Sequence, residues 1–156
     1  MLIVALLSFF LTADAIAQQI PSIKITQLQD YLNTSDSVLV INFWATFCKP
    51  CVEEMPYLQS ISKKYSDKKV KLILVSLDMG TYEPAKIQSF AAEHNITAPI
   101  FWLNETNADY FCPKIDKTWG GSIPATYIIN RSKKYSRLIE EQMKPAQFES
   151  ELQKAL

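Results

Sequence analysis

The sequence has no surplus of charge, one histidine and three cysteines, and each shortage rules something out. Sixteen Lys and Arg balance sixteen Asp and Glu, so there is no basic field to draw the chain to nucleic acid. The densest basic run, Lys63-Lys64 with Lys68-Lys69, reads as a solvated helix end and turn. A structural zinc site takes about four ligands. Beyond Cys48 and Cys51 only Cys112 and His94 could supply them, and neither has ligand-like spacing, so no metal is expected. No apolar run reaches the ~20 residues that cross a bilayer. No internal repeat or low-complexity linker divides the chain, and its length suits one domain with a real core.

What is present begins with an apolar stretch, Leu2 to Leu11, broken only by Ser8. It matches the apolar centre of a secretory signal, and Ala15-Ile16-Ala17 offers a small-x-small cleavage site. No Lys or Arg precedes the stretch, which departs from that pattern. The expectation is a signal peptide over 1–17, a single domain over 18–156, and an exported protein of the bacterial periplasm or cell envelope. Paired cysteines can form disulfides in such a compartment.

The periodicity alternates. Ser22 to Thr26 suggests a short strand, with Thr26 capping a helix through Leu28, Tyr31 and Leu32. Val38 to Phe43 is a nearly continuous apolar strand of the kind found in a sheet covered on both faces. Val52 to Tyr65 is a helix with Val52, Met55, Leu58, Ile61 and Tyr65 on one stripe, interrupted by Pro56. Val70 to Leu77 is a buried strand, Asp78 to Tyr82 a loop turning at Gly80, and Glu83 to Asn95 a helix. Ile100 to Leu103 is a strand, Asp109 to Thr118 a helix, and Ala125 to Ile129 with Tyr135 to Ile139 a hairpin. Pro145 opens the last helix. The order β-α-β-α-β-α-β-α-β-β-α predicts an α/β fold, a parallel core closed by an antiparallel pair.

Between the second strand and the second helix lies Cys48-Lys49-Pro50-Cys51. The first N–H groups of a helix lack partners within it, and its dipole leaves positive charge there. A thiol at that end ionises easily, to pKa values of about 3.5–7.5, and the thiolate is the nucleophile. Cys48 stands at the mouth and Cys51 one turn inside, which points to thiol–disulfide exchange. The competing readings are a structural disulfide or half of a zinc site.

Phe43-Trp44-Ala45-x-x-Cys48-x-Pro50-Cys51, the interior Pro56, and Ile123-Pro124-Ala125-Thr126 ahead of a strand resemble the thioredoxin-like family. Cys48-Lys49-Pro50-Cys51-Val52-Glu53-Glu54-Met55-Pro56 is similar to its exported TlpA- and ResA-type thiol–disulfide oxidoreductases, and Glu83 to Leu103 resembles their central β-α type insertion. The resemblance implies a central mixed sheet flanked by helices. It implies Cys48 as attacking thiolate, Cys51 as resolving thiol, and Glu54 as a partly buried carboxylate handling the proton of Cys51. A first-turn surface glutamate is the plainer reading of Glu54, with Glu53 its exposed neighbour. Substrate contact would fall to Trp44, Lys49, Pro50, Ile123 and a cis Pro124, with Trp44 and Phe47 forming an apolar collar. Packing alone is nearly as good an account of Trp44.

Two positions depart from the pattern. Asn42 stands where thioredoxin has a buried aspartate, and Ala125 replaces the first threonine of Pro-Thr-Thr. Cys112 reads as a small buried hydrophobe and His94 as a surface residue. The implied partners are disulfide-bearing exported proteins, apocytochrome c among them, and a membrane electron donor of the thioredoxin-relay type. No cofactor is implied. A thioredoxin-fold peroxidase lacks its Pro-x-x-x-Thr/Ser-x-x-Cys context here, and a metal carrier lacks Cys-x-x-x-Cys with a paired histidine.

Overall fold

The strand that precedes the two cysteines is the middle of the sheet. In a computed structural model describing residues 19–79 and 84–156, β2 (Val38–Trp44) is buried along its whole length. It pairs in parallel with β3 (Val70–Ser76) and antiparallel with β5 (Ala125–Asn130). Beyond β3 come β4 (Ile100–Leu103) and the two-residue β1 (Ser22–Ile23), both parallel. Beyond β5 lies β6 (Tyr135–Ile139), antiparallel. The six-stranded order is β1-β4-β3-β2-β5-β6. The expected leader and the Gly80 turn fall outside the described residues.

Alternation along β2 sends its side chains to two cores. Leu39, Ile41 and Phe43 face α1 (Ile25–Thr34) and α4 (Ala108–Ile115), where Leu28, Phe111 and Trp119 pack. Val40 and Trp44 face the helices α2 (Lys49–Lys64), α3 (Pro84–Glu93) and α5 (Pro145–Ala155). Asn42 belongs to this second set by position and is fully buried between them. Phe148 and Leu152 of α5 are buried against the same face. Each such side chain contributes about 1.5–3 kcal/mol of burial.

Element order and class agree with the sequence reading, while several boundaries differ. Helix α1 begins at Ile25 rather than after Thr26, because its first N–H donates to Glu105 Oε1 at 3.0 Å, a partner distant in the chain. Helix α4 stops at Ile115. There Asp116 Oδ1 accepts from the N–H and hydroxyl of Thr118, at 2.9 and 2.7 Å, a local turn that competes with the helix. Helix α2 begins at Lys49, so it holds Cys51 within its first turn.

Candidate active site

The loop from Trp44 to Cys48 joins the carboxyl end of β2 to α2. Cys48 is the N-cap residue of α2, and Pro50 occupies its first turn. The Cys48 N–H donates to Ala45 O at 3.0 Å, and Cys48 O accepts the first helical bond, from Val52 N–H at 3.2 Å. Pro50 removes one donor that the helix could not have satisfied and presets the backbone angle. No acidic residue stands in the first turn, so the positive end of the helix dipole is left for the sulfur. Cys48 and Cys51 are joined as a disulfide with Cα atoms 5.3 Å apart. Cys48 keeps a thin exposed edge, 8%, and Cys51 keeps none. A reagent from solvent therefore meets the first sulfur before the second.

Behind the pair lies a buried carboxylate. Glu54 follows Cys51 by three residues on the same helix, on the neighbouring position of one face. It is fully buried. Its Oε1 accepts from Asn42 Nδ2 at 2.7 Å, and its Oε2 accepts from Met143 N–H at 3.3 Å. Burial outweighs those two donors and raises its pKa to about 7. Asn42 Nδ2 also donates to Thr126 Oγ1 at 3.0 Å, across the β2–β5 register that pairs the two residues. Tyr57 closes the group, its hydroxyl donating to Met143 O. Burial pushes the Tyr57 phenol up, and the nearby Glu54 charge adds to this.

A second buried carboxylate holds the loop itself. Asp78, at the end of β3, accepts from Thr46 N–H at 3.1 Å, Thr46 Oγ1 at 2.7 Å and Ser76 Oγ at 2.6 Å. Trp102 Nε1 donates to Asp78 O at 2.8 Å, which ties in β4. With Thr46 fixed, Phe47 is turned outward, 78% exposed, one residue before Cys48.

The Ile123–Pro124 peptide bond is cis. The pairing of Phe43 with Ala125 puts this bond at the end of β2 that leads to Cys48. Ile123 is half-buried and Pro124 buried. Lys49 and Pro50 are exposed beside the disulfide, and the Lys49 ammonium lies 3.8 Å from Glu53 in solvent. Trp44 corrects one expectation. It is fully buried, with its ring 5.8 Å from Phe90, so its side chain packs beneath the site and presents no surface to a docked substrate. Cys112 is buried in the opposite core, beneath Gly121, and its thiol is raised to about 11 chiefly by burial. His94 is exposed and stacked on Phe90.

Asn42, Thr126, Asp78 and the Met143 N–H were not assigned to the site from the sequence. Asn42 carried a signal, as the one amide in the apolar run Val38 to Trp44. Asp78 carried a weaker one, a carboxylate directly after an apolar strand. Met143 carried none, because a main-chain donor leaves no trace in side-chain type.

Comparison with known proteins agrees with this geometry. The model of the AhpC/TSA family matches residues 12–135. The thiol–disulfide oxidoreductase ResA of Bacillus cereus is 30% identical over 145 residues, covering 89% of this chain and 78% of that protein. The thioredoxin-like protein YneN of Bacillus subtilis is 33% identical over 93 residues, covering 59% of this chain and 49% of that one. The match thus spans about half of one relative and most of the other. A thioredoxin-related protein from Neisseria meningitidis serogroup B superposes with a TM-score of 0.67 at 23% identity, covering 80% of this chain and 89% of the other. The chain belongs to the AhpC/TSA family, and within it to the thioredoxin-like thiol–disulfide oxidoreductases of the ResA kind.

Proposed function

We propose that the protein reduces disulfides of exported proteins, with Cys48 as nucleophile, Cys51 as resolving thiol and Glu54 as the proton acceptor for Cys51. The observation that carries this is the placement of Cys48 at the N-cap of α2, exposed at its edge and bonded to a Cys51 that solvent does not reach.

In the reduced protein the Cys48 thiolate attacks one sulfur of the substrate disulfide. A mixed disulfide forms and the other substrate sulfur leaves as a thiolate. Cys51 then gives its proton to the Glu54 carboxylate and attacks the Cys48 sulfur. The mixed disulfide breaks, the second substrate thiolate leaves, and the enzyme is left with the Cys48–Cys51 bond. The substrate has gained two electrons and the enzyme has lost two. A buried thiol needs a nearby base to ionise, since burial alone disfavours its anion. Glu54, itself buried and raised to about 7, can both take and return a proton near neutral pH.

Lys49 and Pro50 are exposed directly after Cys48, and Ile123 packs against the core that holds Cys48, so an extended substrate segment would lie against the backbone before the cis Pro124. A membrane electron donor of the thioredoxin-relay type would restore the dithiol, and apocytochrome c is one fitting substrate. A location outside the cytoplasm, in the periplasm or cell envelope, suits the apolar stretch Leu2 to Leu11 and the likeness to oxidoreductases of the ResA kind. The peroxidase reading is disfavoured because both reacting sulfurs lie within one helical turn.

Insulin reduction with dithiothreitol tests the assignment. Wild type is active, Cys48→Ser is inactive, and Cys51→Ser accumulates a mixed disulfide with substrate. Full activity in Cys48→Ser refutes the mechanism. The potential of the pair sets its direction, near about −270 mV for a thioredoxin-like reductant and near about −120 mV for an oxidant.

A further inference from the structure

Glu54 has a partner whose hydrogen-bonding sense can be reversed. Both of its oxygens face donors, Asn42 Nδ2 at 2.7 Å and Met143 N–H at 3.3 Å. That arrangement suits a carboxylate. A proton added to either oxygen along these lines would point at another hydrogen. The Met143 N–H belongs to the main chain and cannot turn round. The Asn42 side chain can, because the two ends of an amide are nearly the same size and differ only in hydrogen-bonding sense.

We propose that the Asn42 amide turns end for end, together with the Thr126 hydroxyl, each time Glu54 gains or loses a proton. Asn42 is thus a positioning residue that keeps Glu54 hydrogen-bonded in both charge states. The inference rests on the proton role of Glu54 proposed above.

In the turned state Oδ1 takes the place of Nδ2. It accepts the new O–H of Glu54 and, on its other lone pair, the Thr126 hydroxyl, which changes from acceptor to donor. Only the two ends of the amide exchange places, and the β2–β5 pairing holds Asn42 opposite Thr126 throughout. The cost of the turn lies at the far end, where the amide hydrogens then face the buried place now held by Oδ1. Asn42 Oδ1 is buried and has no hydrogen-bond partner among the described residues, so reversal breaks no third bond. An aspartate at this place would act otherwise. Two carboxylates so close would share one proton and couple their titrations.

The surroundings add few competing charges. On α2 the neighbours are Cys51, here in a disulfide, and Tyr57, while Glu53 faces solvent. From β2 and β5 come only the neutral Asn42 and Thr126. In the segment ahead of α5, Glu140, Glu141 and Lys144 are exposed.

The test is nuclear magnetic resonance on the oxidised full chain, in which the paired cysteines do not titrate. The Glu54 side-chain carbonyl carbon and the Asn42 side-chain amide are followed from about pH 4 to about pH 9, a range that brackets the ordinary and raised carboxyl values. The expected result is one shared midpoint, with the Asn42 movement abolished by Glu54→Gln. In Asn42→Ala the Glu54 midpoint rises by about one pH unit, because the charge-assisted bond lost by the ionised form is stronger than the neutral bond lost by the protonated form. A titrating Glu54 beside a static Asn42 amide overturns the switch alone. A Glu54 that does not titrate in this range overturns the proton role and the switch with it. An unchanged midpoint in Asn42→Ala also counts against the proposal.

Discussion

The carboxylate of Asp78 accepts from both the main-chain N–H and the hydroxyl of Thr46, two residues before Cys48. It thereby sets the path by which β2 enters α2. Asp78→Ala leaves the N–H of Thr46 and the hydroxyls of Thr46 and Ser76 without this acceptor in a largely buried setting. The expected cost is about 3 kcal/mol, read as a lower urea midpoint of the oxidised protein. Alkylation of the reduced variant at neutral pH should be slower than in wild type, since Cys48 is no longer held at the helix end. Wild-type stability in Asp78→Ala would show that Thr46 finds other partners without loss.

Glu54 makes folding stability depend on pH in an unusual direction. Its pKa is raised from 4.5 to about 7 in the folded chain, chiefly by burial. Between these values the native state holds a proton that the unfolded state has released. The contribution is fully present below about pH 4.5 and is lost as pH rises through about 7, by up to about 3 kcal/mol. Urea unfolding of the oxidised protein at pH 5 and pH 8 reads the difference. Glu54→Gln should remove most of this slope. A variant that keeps the wild-type slope would place its source elsewhere.

Cys112 tests the opposite core. Its thiol is buried and raised to about 11, so at pH 8 only about one molecule in a thousand carries the thiolate. The native oxidised protein should give almost no reaction with a thiol reagent, and one equivalent after unfolding in urea. Rapid labelling of the native protein would mean that α4 opens readily.

Phe47 separates substrate docking from stability. Its ring is exposed, so Phe47→Ala should change unfolding free energy by no more than about 0.5 kcal/mol. In insulin reduction KM should rise, while the rate with a small aromatic disulfide stays near wild type. Equal losses on both substrates would mean that Phe47 shapes Cys48 itself.

The readable parts of this molecule were those written in local patterns. Pro145 opens α5 and Tyr135 to Ile139 is the last strand, as periodicity and a fixed proline angle required. The Cys48-to-Cys51 spacing at a strand-to-helix join was legible for the same reason. Glu54 was ambiguous. A glutamate near a helix start can face water or protein, and only the even-numbered face of β2, with Asn42 on it, decides the matter. The start of α1 and the hold on Thr46 were illegible because Glu105 and Asp78 arrive from distant sequence. For Trp44 the packing account holds over the collar, and Phe47, three residues on, bears the exposure.

The bond from Met143 to Glu54 spans 89 positions of the chain. Cys48, Cys51 and Glu54 leave the ribosome well ahead of Met143 and the helix behind it. A chain made only as far as Glu54 thus carries the sulfur pair without the segment that closes over Glu54. A fragment stopped before Met143 retains the motif and lacks the main-chain N–H from which Glu54 Oε2 accepts.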